Sequence, residues 1–103
     1  GHLWAMLDAP RAWQRAHHLA TATRDYRIRY GVKPKAGSIV RLLTNVTAMS
    51  AKTVRFRHWL FDAERGEMAA AAAGAALFLD RASRRAVPLP DRVAAAAARL
   101  IAG

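Results

Sequence analysis

Hydrophobic and polar residues alternate along several stretches of the chain, and the clearest alternation runs over residues 52–62. One side of this stretch is mainly apolar and the other combines arginine with aromatic rings: Val54, Phe56, His58 and Leu60 against Arg55, Arg57, Trp59 and Phe61. A period of two predicts a half-buried β-strand. The polar segment 62–67 contains Gly66 and predicts a hairpin loop. The next apolar run, residues 68–79, is long enough to pair along the whole strand, so this hairpin is predicted to be the core of the fold.

The second half of that hairpin is ambiguous when judged from its residues alone. Residues 68–76 are mostly alanine, and alanine has the highest helix propensity. Gly74 interrupts the run, however, and residues 77–79 are typical of a strand. The residues by themselves leave helix and strand about equally favoured.

Two helices are predicted, one towards each end of the chain. Asp8 as N-cap and Pro10 in the first turn predict a helix over about residues 9–19. Asp91 follows a proline-containing stop and is predicted to cap an alanine-rich helix over residues 92–102.

Two further strands are predicted before the hairpin. Residues 25–30 alternate, with Tyr26, Ile28 and Tyr30 expected to point inward and the charged residues between them outward. The glycines and proline of segment 31–37 predict a loop. Residues 38–48 are rich in β-branched and apolar residues and predict the next strand.

The composition indicates one globular domain. A chain of 103 residues can build one modest core, and 53% apolar with 23% charged residues excludes a disordered chain. No apolar run reaches membrane-spanning length, so no membrane association is predicted. The absence of cysteine excludes disulfides and thiolate chemistry, and it fits a reducing compartment such as the cytoplasm. The start at Gly1 and His2, without methionine, indicates a tag remnant or a truncation.

The formal charge of +10 points to a polyanionic partner, either nucleic acid or a nucleotide-bearing ligand such as coenzyme A. A GC-rich genome, which favours arginine over lysine, is the competing explanation. The arginines are spread along the chain and not massed in one block, so nucleic-acid binding is not the favoured prediction.

Five segments, taken in order and with their spacing, carry a resemblance to a known family: residues 28–38, 52–58, 62–70, 78–81 and 84–90. They resemble the hot-dog-fold acyl-CoA thioesterases of the 4-hydroxybenzoyl-CoA thioesterase type, over about residues 26–90. The resemblance implies an α+β domain in which an antiparallel sheet wraps a central helix. Residues 1–20 would hold the central helix, 23–80 the strands, including 68–79, and 91–102 a short terminal helix. The family's first strand and its acidic residue have no counterpart in this sequence.

The same resemblance implies hydrolysis of a small acyl-CoA thioester at the interface of a homodimer or homotetramer, with coenzyme A as part of the substrate and no metal or other cofactor. His2 would orient the thioester oxygen, with a tag remnant as the alternative. Asp8 would act as the catalytic carboxylate, with a plain N-cap as the more favoured alternative. Six basic residues are predicted to rim one groove for the phosphates of coenzyme A, with a solvated sheet face as the alternative for each: Lys52, Arg55, Arg57, Arg81, Arg84 and Arg85.

The remaining histidines are predicted to have structural roles. His58 lies on the apolar side of its strand and is predicted to be a core histidine, whereas His17 and His18 are predicted on a helix surface. No spacing of histidine and carboxylate predicts a metal site. Two other functions stay open: a small basic nucleic-acid-binding module, and a hot-dog protein that binds acyl-CoA or an acyl carrier without hydrolysis.

Overall fold

The structure, a computed structural model, describes residues 2–103, and for His2 the backbone only. Its elements in chain order are α1 (His2–Met6), α2 (Arg11–Ala16), β1 (Leu19–Tyr30), β2 (Val40–Met49), β3 (Thr53–Asp62), β4 (Met68–Asp80), β5 (Ala86–Val87) and α3 (Asp91–Ala102). The strands form one antiparallel sheet in the order β1-β4-β3-β2, and the short β5 pairs with β4. This arrangement agrees with the predicted α+β class.

The alanine-rich run is a strand, and it lies in the middle of the sheet. β4 pairs with β1 on one side and with β3 on the other, over nearly its whole length. Helix propensity differs among ordinary residues by less than about 1 kcal/mol each, and hydrogen-bonded ladders on both sides outweigh it. At Gly74 a Cβ atom would lie only 3.1 Å from the Phe56 ring and 3.2 Å from the Tyr26 ring, so a side chain would crowd this crossing.

The main hydrophobic core cluster of the described residues lies on one face of the sheet, which we call the inner face. Its buried side chains include Val46 on β2, Val54 and Phe56 on β3, and Ala76 and Phe78 on β4. The helices cover this face with the following buried residues: Leu3, Leu7, Val93, Ala96 and Ala97. The opposite or outer face of the sheet carries Arg55, Arg57 and Trp59 of β3, as the alternation of residues 52–62 predicts.

The predicted N-terminal helix over residues 9–19 is wrong in extent, because α2 covers only Arg11–Ala16 of that range and a separate helix, α1, precedes it. Asp8 lies between them with φ 57°, in the left-handed region, and does not cap α2. The N-cap of α2 is Pro10, without a side-chain cap hydrogen bond. Similarly, Asp91 is the first residue of α3, and Pro90 is its N-cap. In both cases the proline takes an extended cap conformation, so α2 starts two residues later than predicted and α3 starts one residue earlier.

The tyrosines and isoleucine of β1 point to the inner face, as predicted, but the single chain leaves them exposed. Tyr26, Ile28 and Tyr30 are 51%, 47% and 79% exposed. They lie on an edge strand of the sheet, which the helices leave largely uncovered. The strand itself begins at Leu19, earlier than the predicted residue 23.

Candidate functional site

A chamber of about 340 Å³ lies on the inner face, between the two N-terminal helices and the sheet. Its apolar wall is made by Leu3 and Trp4 of α1, Phe56 of β3, Tyr26 of β1 and Leu42 of β2. Trp4 is held by an edge-to-face contact with Phe78, with ring centroids 5.0 Å apart. These elements enclose an apolar space large enough for a small organic group.

Polar side chains line the other side of the chamber. His58 is half-buried, and one of its ring nitrogens shares a hydrogen bond of 2.8 Å with the hydroxyl of Thr44 on the neighbouring strand. Its ring also contacts the Phe56 ring, with centroids 4.8 Å apart. Gln14 of α2 is buried, and its Nε2 donates to the Ala9 carbonyl at 2.8 Å, which fixes the start of α2 against the chamber.

The predicted role of His58 as a core histidine therefore needs a correction. Alternation along β3 correctly places its side chain on the inner face. The sequence could not show that this part of the inner face borders an open chamber, because the helices that cover the face elsewhere are short.

A second, smaller cavity of about 200 Å³ adjoins the chamber and is strongly basic. It is lined by Arg11 and Arg15 of α2 and by Arg81 from the turn after β4, and it shares Arg11 and Gln14 with the chamber. The backbone N–H of Arg81 donates to the His18 carbonyl at 2.9 Å, which brings this turn beside α2. The chamber and this cavity together form one groove, apolar at one end and cationic at the other, which we call the inner groove.

Sequence reasoning missed Arg11 and Arg15. A signal was present, because residues four apart on a helix share one face. The signal was weak, since nothing in the sequence places that face beside Arg81.

The six basic residues predicted to rim one groove are divided between the two faces. Arg81 lines the inner groove, whereas Arg55 and Arg57 lie on the outer face of β3. Lys52, Arg84 and Arg85 are exposed in turns and line neither cavity of the inner groove. The structure thus does not bring the predicted set together, since strand alternation sends neighbouring segments to opposite faces.

Asp8 lies beyond the C-terminal end of α1, and its hydrogen bonds connect this segment to α3. Its carboxylate accepts a hydrogen bond from Arg99 Nη2 at 3.4 Å, and its backbone carbonyl accepts one from Arg92 Nη1 at 3.2 Å. Both arginines belong to α3. His2 is the first residue of α1, and its side chain lies outside the described part of the chain. The catalytic roles assigned to His2 and Asp8 stay predictions.

Two other carboxylates have structural partners in turns. Asp62 is buried and accepts hydrogen bonds from the backbone N–H groups of Glu64 and Arg65, at 2.9 and 3.1 Å. Asp80 accepts one from the Ser83 N–H at 2.8 Å, and this bond, with further help from the Ser83 side chain, lowers the pKa of Asp80 below its usual value. No carboxylate within residues 2–103 lines the inner groove.

Two further features are absent from the described part of the chain. Residues 2–103 contain no group of three or more His, Asp or Glu side chains arranged to hold a metal ion. None of the helices in this part of the chain combines the length and the apolar character needed to cross a membrane.

Comparison with solved structures supports the fold. The chain superposes with a TM-score of 0.82 on a DHNA-CoA thioesterase from Staphylococcus aureus, at 17% identity, covering 98% of this chain and 69% of that one. A 1,4-dihydroxy-2-naphthoyl-CoA thioesterase from Synechocystis gives a TM-score of 0.80 at 17% identity, with 96% and 73% covered. A hypothetical protein from Staphylococcus aureus, solved in complex with CoA, gives 0.81 at 12% identity, with 89% of this chain covered. This chain spans only 58% of the length of that protein. The predicted hot-dog fold is confirmed, with two short helices in place of one central helix.

Comparison by sequence gives the family. No curated protein matches this chain. The family model of the thioesterase-like superfamily matches residues 1–97, which is nearly the whole sequence, and this confirms the resemblance noted from the strand segments. The chain is a member of the thioesterase-like superfamily.

Proposed function

We propose that this protein binds a small acyl-CoA in the inner groove and hydrolyses its thioester. The observation that carries the proposal is the shape of the groove, in which an apolar chamber continues into a cavity lined by Arg11, Arg15 and Arg81. The chamber suits an acyl group and the arginines suit phosphate groups, which guanidinium binds through paired hydrogen bonds. Membership of the thioesterase-like superfamily supports the reaction.

Hydrolysis requires a base for the attacking water and donors for the oxyanion. His58 is the one imidazole among the described side chains that line the chamber, and imidazole is the commonest general base in proteins. In the proposed reaction His58 removes a proton from water, the oxygen adds to the thioester carbonyl, and the carbon–sulfur bond breaks. The proton passes to the leaving thiolate, so the products are a carboxylic acid and free coenzyme A.

The start of α1 is the proposed source of oxyanion donors. The first amides of a helix have no partner within it and carry partial positive charge. Leu3 and Trp4, in this first turn, line the chamber. The role predicted for His2, orienting the thioester oxygen, would be performed at this same helix start. The reaction needs no metal and no cofactor beyond the coenzyme A of the substrate.

We further propose that the protein is a homodimer in the cytoplasm. The support for the dimer is the edge of β1, where Tyr26, Ile28 and Tyr30 leave an apolar strip exposed beside unpaired backbone groups. A second copy of this chain can cover such an edge by strand pairing. The absence of cysteine fits a reducing compartment, which supports the proposed location.

A panel of acyl-CoA thioesters, assayed for release of free thiol, tests the activity. The wild-type protein is expected to hydrolyse at least one member. His58→Gln is expected to lower kcat by about 100-fold or more, because general-base catalysis contributes on this scale. Arg15→Gln combined with Arg81→Gln is expected to raise KM several-fold with a smaller change in kcat, since these residues contact parts of the substrate remote from the thioester. Arg65→Gln combined with Arg84→Gln is the control for charge alone, because these arginines lie outside the groove.

One observation favours a second candidate, acyl-CoA binding without hydrolysis. No carboxylate of residues 2–103 lines the inner groove. Under this second function the wild-type protein would bind coenzyme A thioesters, with affinity reduced by the Arg15 and Arg81 changes, and would release no thiol from any of them. If the protein neither binds nor hydrolyses any member of the panel, both candidates fail.

A further inference from the structure

The outer face of the sheet carries a basic trough that takes no part in the proposed reaction. Antiparallel register places the residues of three strands in cross-strand rows, each centred on an alanine of β4. From one end of the trough to the other the rows are Arg24–Ala75–Arg55, Arg27–Ala73–Arg57 and Arg29–Ala71–Trp59. Two ridges, arginine on β1 and mixed arginine and tryptophan on β3, therefore flank a floor of alanine. We call this feature the outer trough.

The dimensions of the outer trough follow from sheet geometry. The two ridges are separated by two strand spacings, about 10 Å, and successive rows are two residues or about 7 Å apart. The cavity between the ridges measures about 740 Å³, and Arg27, Arg29, Arg57 and Trp59 line it. Because alanine is small, the floor stays low and the arginine side chains stand above it. The trough is thus an open channel that runs along the strands.

The charge of the outer trough is almost uncompensated. All five of its arginines are exposed. Within the described chain, the ion pair recorded for them joins Arg55 to Asp25, at 4.0 Å between exposed side chains. A second copy of this chain would bring a second set of arginines against the first, so charge repulsion opposes self-association through this face. Charge complementarity favours a polyanion.

An aromatic ring gives the outer trough a feature that a simple charged patch lacks. Trp59 is partly exposed at one end of the cavity, and Phe61 follows it on the same face of β3. Aromatic rings on an open sheet that is flanked by arginine are suited to stacking unpaired bases while the arginines contact the phosphates. A duplex buries its bases and cannot use such rings.

We propose that the outer trough binds single-stranded nucleic acid, with its backbone between the arginine ridges and a base stacked on Trp59. The spacing of the rows along the strands is comparable to the phosphate repeat of an extended single strand. This site is on the opposite face from the inner groove, so it is independent of the proposed acyl-CoA binding. Because these arginines come from separate parts of the sequence, the sequence did not favour nucleic-acid binding. The register of the sheet brings them together on one face.

The test is fluorescence anisotropy of a labelled, mixed-sequence single strand of about 12 nucleotides, a length within the range that single-strand-binding modules cover. The full chain is titrated at several salt concentrations. Arg27→Gln, Arg29→Gln and Arg57→Gln are combined in one variant. Arg65→Gln, Arg84→Gln and Arg85→Gln are combined in a matched control that removes the same charge from turns outside the trough. Trp59→Leu tests the stacking, and thermal unfolding of every variant confirms that it is folded.

The expected result is binding that weakens steeply with salt in the wild type. The trough variant is expected to flatten the slope of log affinity against log salt by about 2, because three phosphate contacts are lost. Trp59→Leu is expected to weaken single-strand binding about fivefold or more and to leave the salt slope unchanged.

Three results would overturn the proposal. Equal losses in the trough variant and the control would show a response to net charge alone. Equal affinity for a duplex of the same length, unaffected by Trp59→Leu, would show that no base is stacked. Displacement of the oligonucleotide by stoichiometric coenzyme A would show that the trough holds a nucleotide of the substrate. Thioester hydrolysis is measured separately, so failure of either proposal leaves the other standing.

Discussion

Asp80 ends β4 and holds the turn that follows it. Its carboxylate accepts hydrogen bonds from the backbone of this turn, with the Ser83 N–H at 2.8 Å, and the Asp80 N–H donates to the Arg85 carbonyl at 2.9 Å. The hydrogen bonds from Ser83 to the carboxylate favour its ionised form, which lowers the pKa of Asp80 below its ordinary value of 3.8. The turn carries Arg81, so the geometry of one carboxylate positions a side chain of the inner groove.

This shift predicts a pH dependence with a defined sign. Because the pKa of Asp80 is lower in the folded than in the unfolded protein, its stabilisation is present above about pH 4 and is lost as the pH falls through the lowered value. Asp80→Asn is expected to lower Tm near neutral pH, and the difference from the wild type is expected to shrink progressively below about pH 4. Thermal unfolding of both proteins across this range measures it, and a difference that stays constant with pH would contradict the assignment.

His58 shows what residue-level reasoning could and could not provide. The alternation along β3 gives its face correctly, and the hydrogen bond to Thr44 depends on the β2–β3 register, in which the two residues are directly opposite. The local sequence predicts neither this register nor the open space beside the His58 ring. A histidine on an apolar side is therefore predicted as core, although it lines a chamber.

At the scale of elements, β4 is the clearest case in which tertiary pairing outweighs local helix propensity. Its alanines serve two opposite purposes. On the inner face Ala76 is 1% exposed beneath the helices, where a small side chain allows close packing. On the outer face Ala73 forms the floor between Arg27 and Arg57. One strand of small residues thus keeps the core tight on one side and the trough open on the other.

The two faces of β4 predict different costs for the same substitution. Ala76→Leu is expected to destabilise the fold by about 1–3 kcal/mol, because the inner face has no space for a larger side chain. Ala73→Leu is expected to change stability by no more than about 0.5 kcal/mol, as is usual for surface positions. Urea unfolding measures the free energy of unfolding of both variants, which carry the same alanine-to-leucine change. Equal losses from the two substitutions would contradict the assignment of faces.

For the whole molecule, the distribution of exposed apolar residues matters most. Both edges of the sheet carry them: Tyr26, Ile28 and Tyr30 on β1, and Val40, Leu42 and Leu43 on β2. The outer face, in contrast, is basic. Apolar edges favour association through strands, while the charge keeps the broad outer face open to anions.

The proposed homodimer gives a prediction at this scale. Ile28→Lys is expected to shift the protein from dimer to monomer, because it places a charge in the middle of the proposed strand pairing. Light scattering coupled to size exclusion measures the molar mass, and Ala98→Lys on the exposed side of α3 is the control for added charge. A wild-type protein that is monomeric at all concentrations, or a mutant that stays dimeric, would contradict pairing through β1.

The sequence by itself determined the strands before the alanine run, the terminal helix and the family of this protein. These features follow from periodicity and from the order of short segments, and both are local properties of the chain. Periodicity fixes which residues share a face, but it does not say what covers that face. Only the tertiary structure decided that the alanine run is a central strand, because pairing on both sides outweighs helix propensity. It also decided that Arg81 joins Arg11 and Arg15 in the inner groove while Arg55 and Arg57 join the outer trough, since strand register and not sequence distance sets which charges are neighbours.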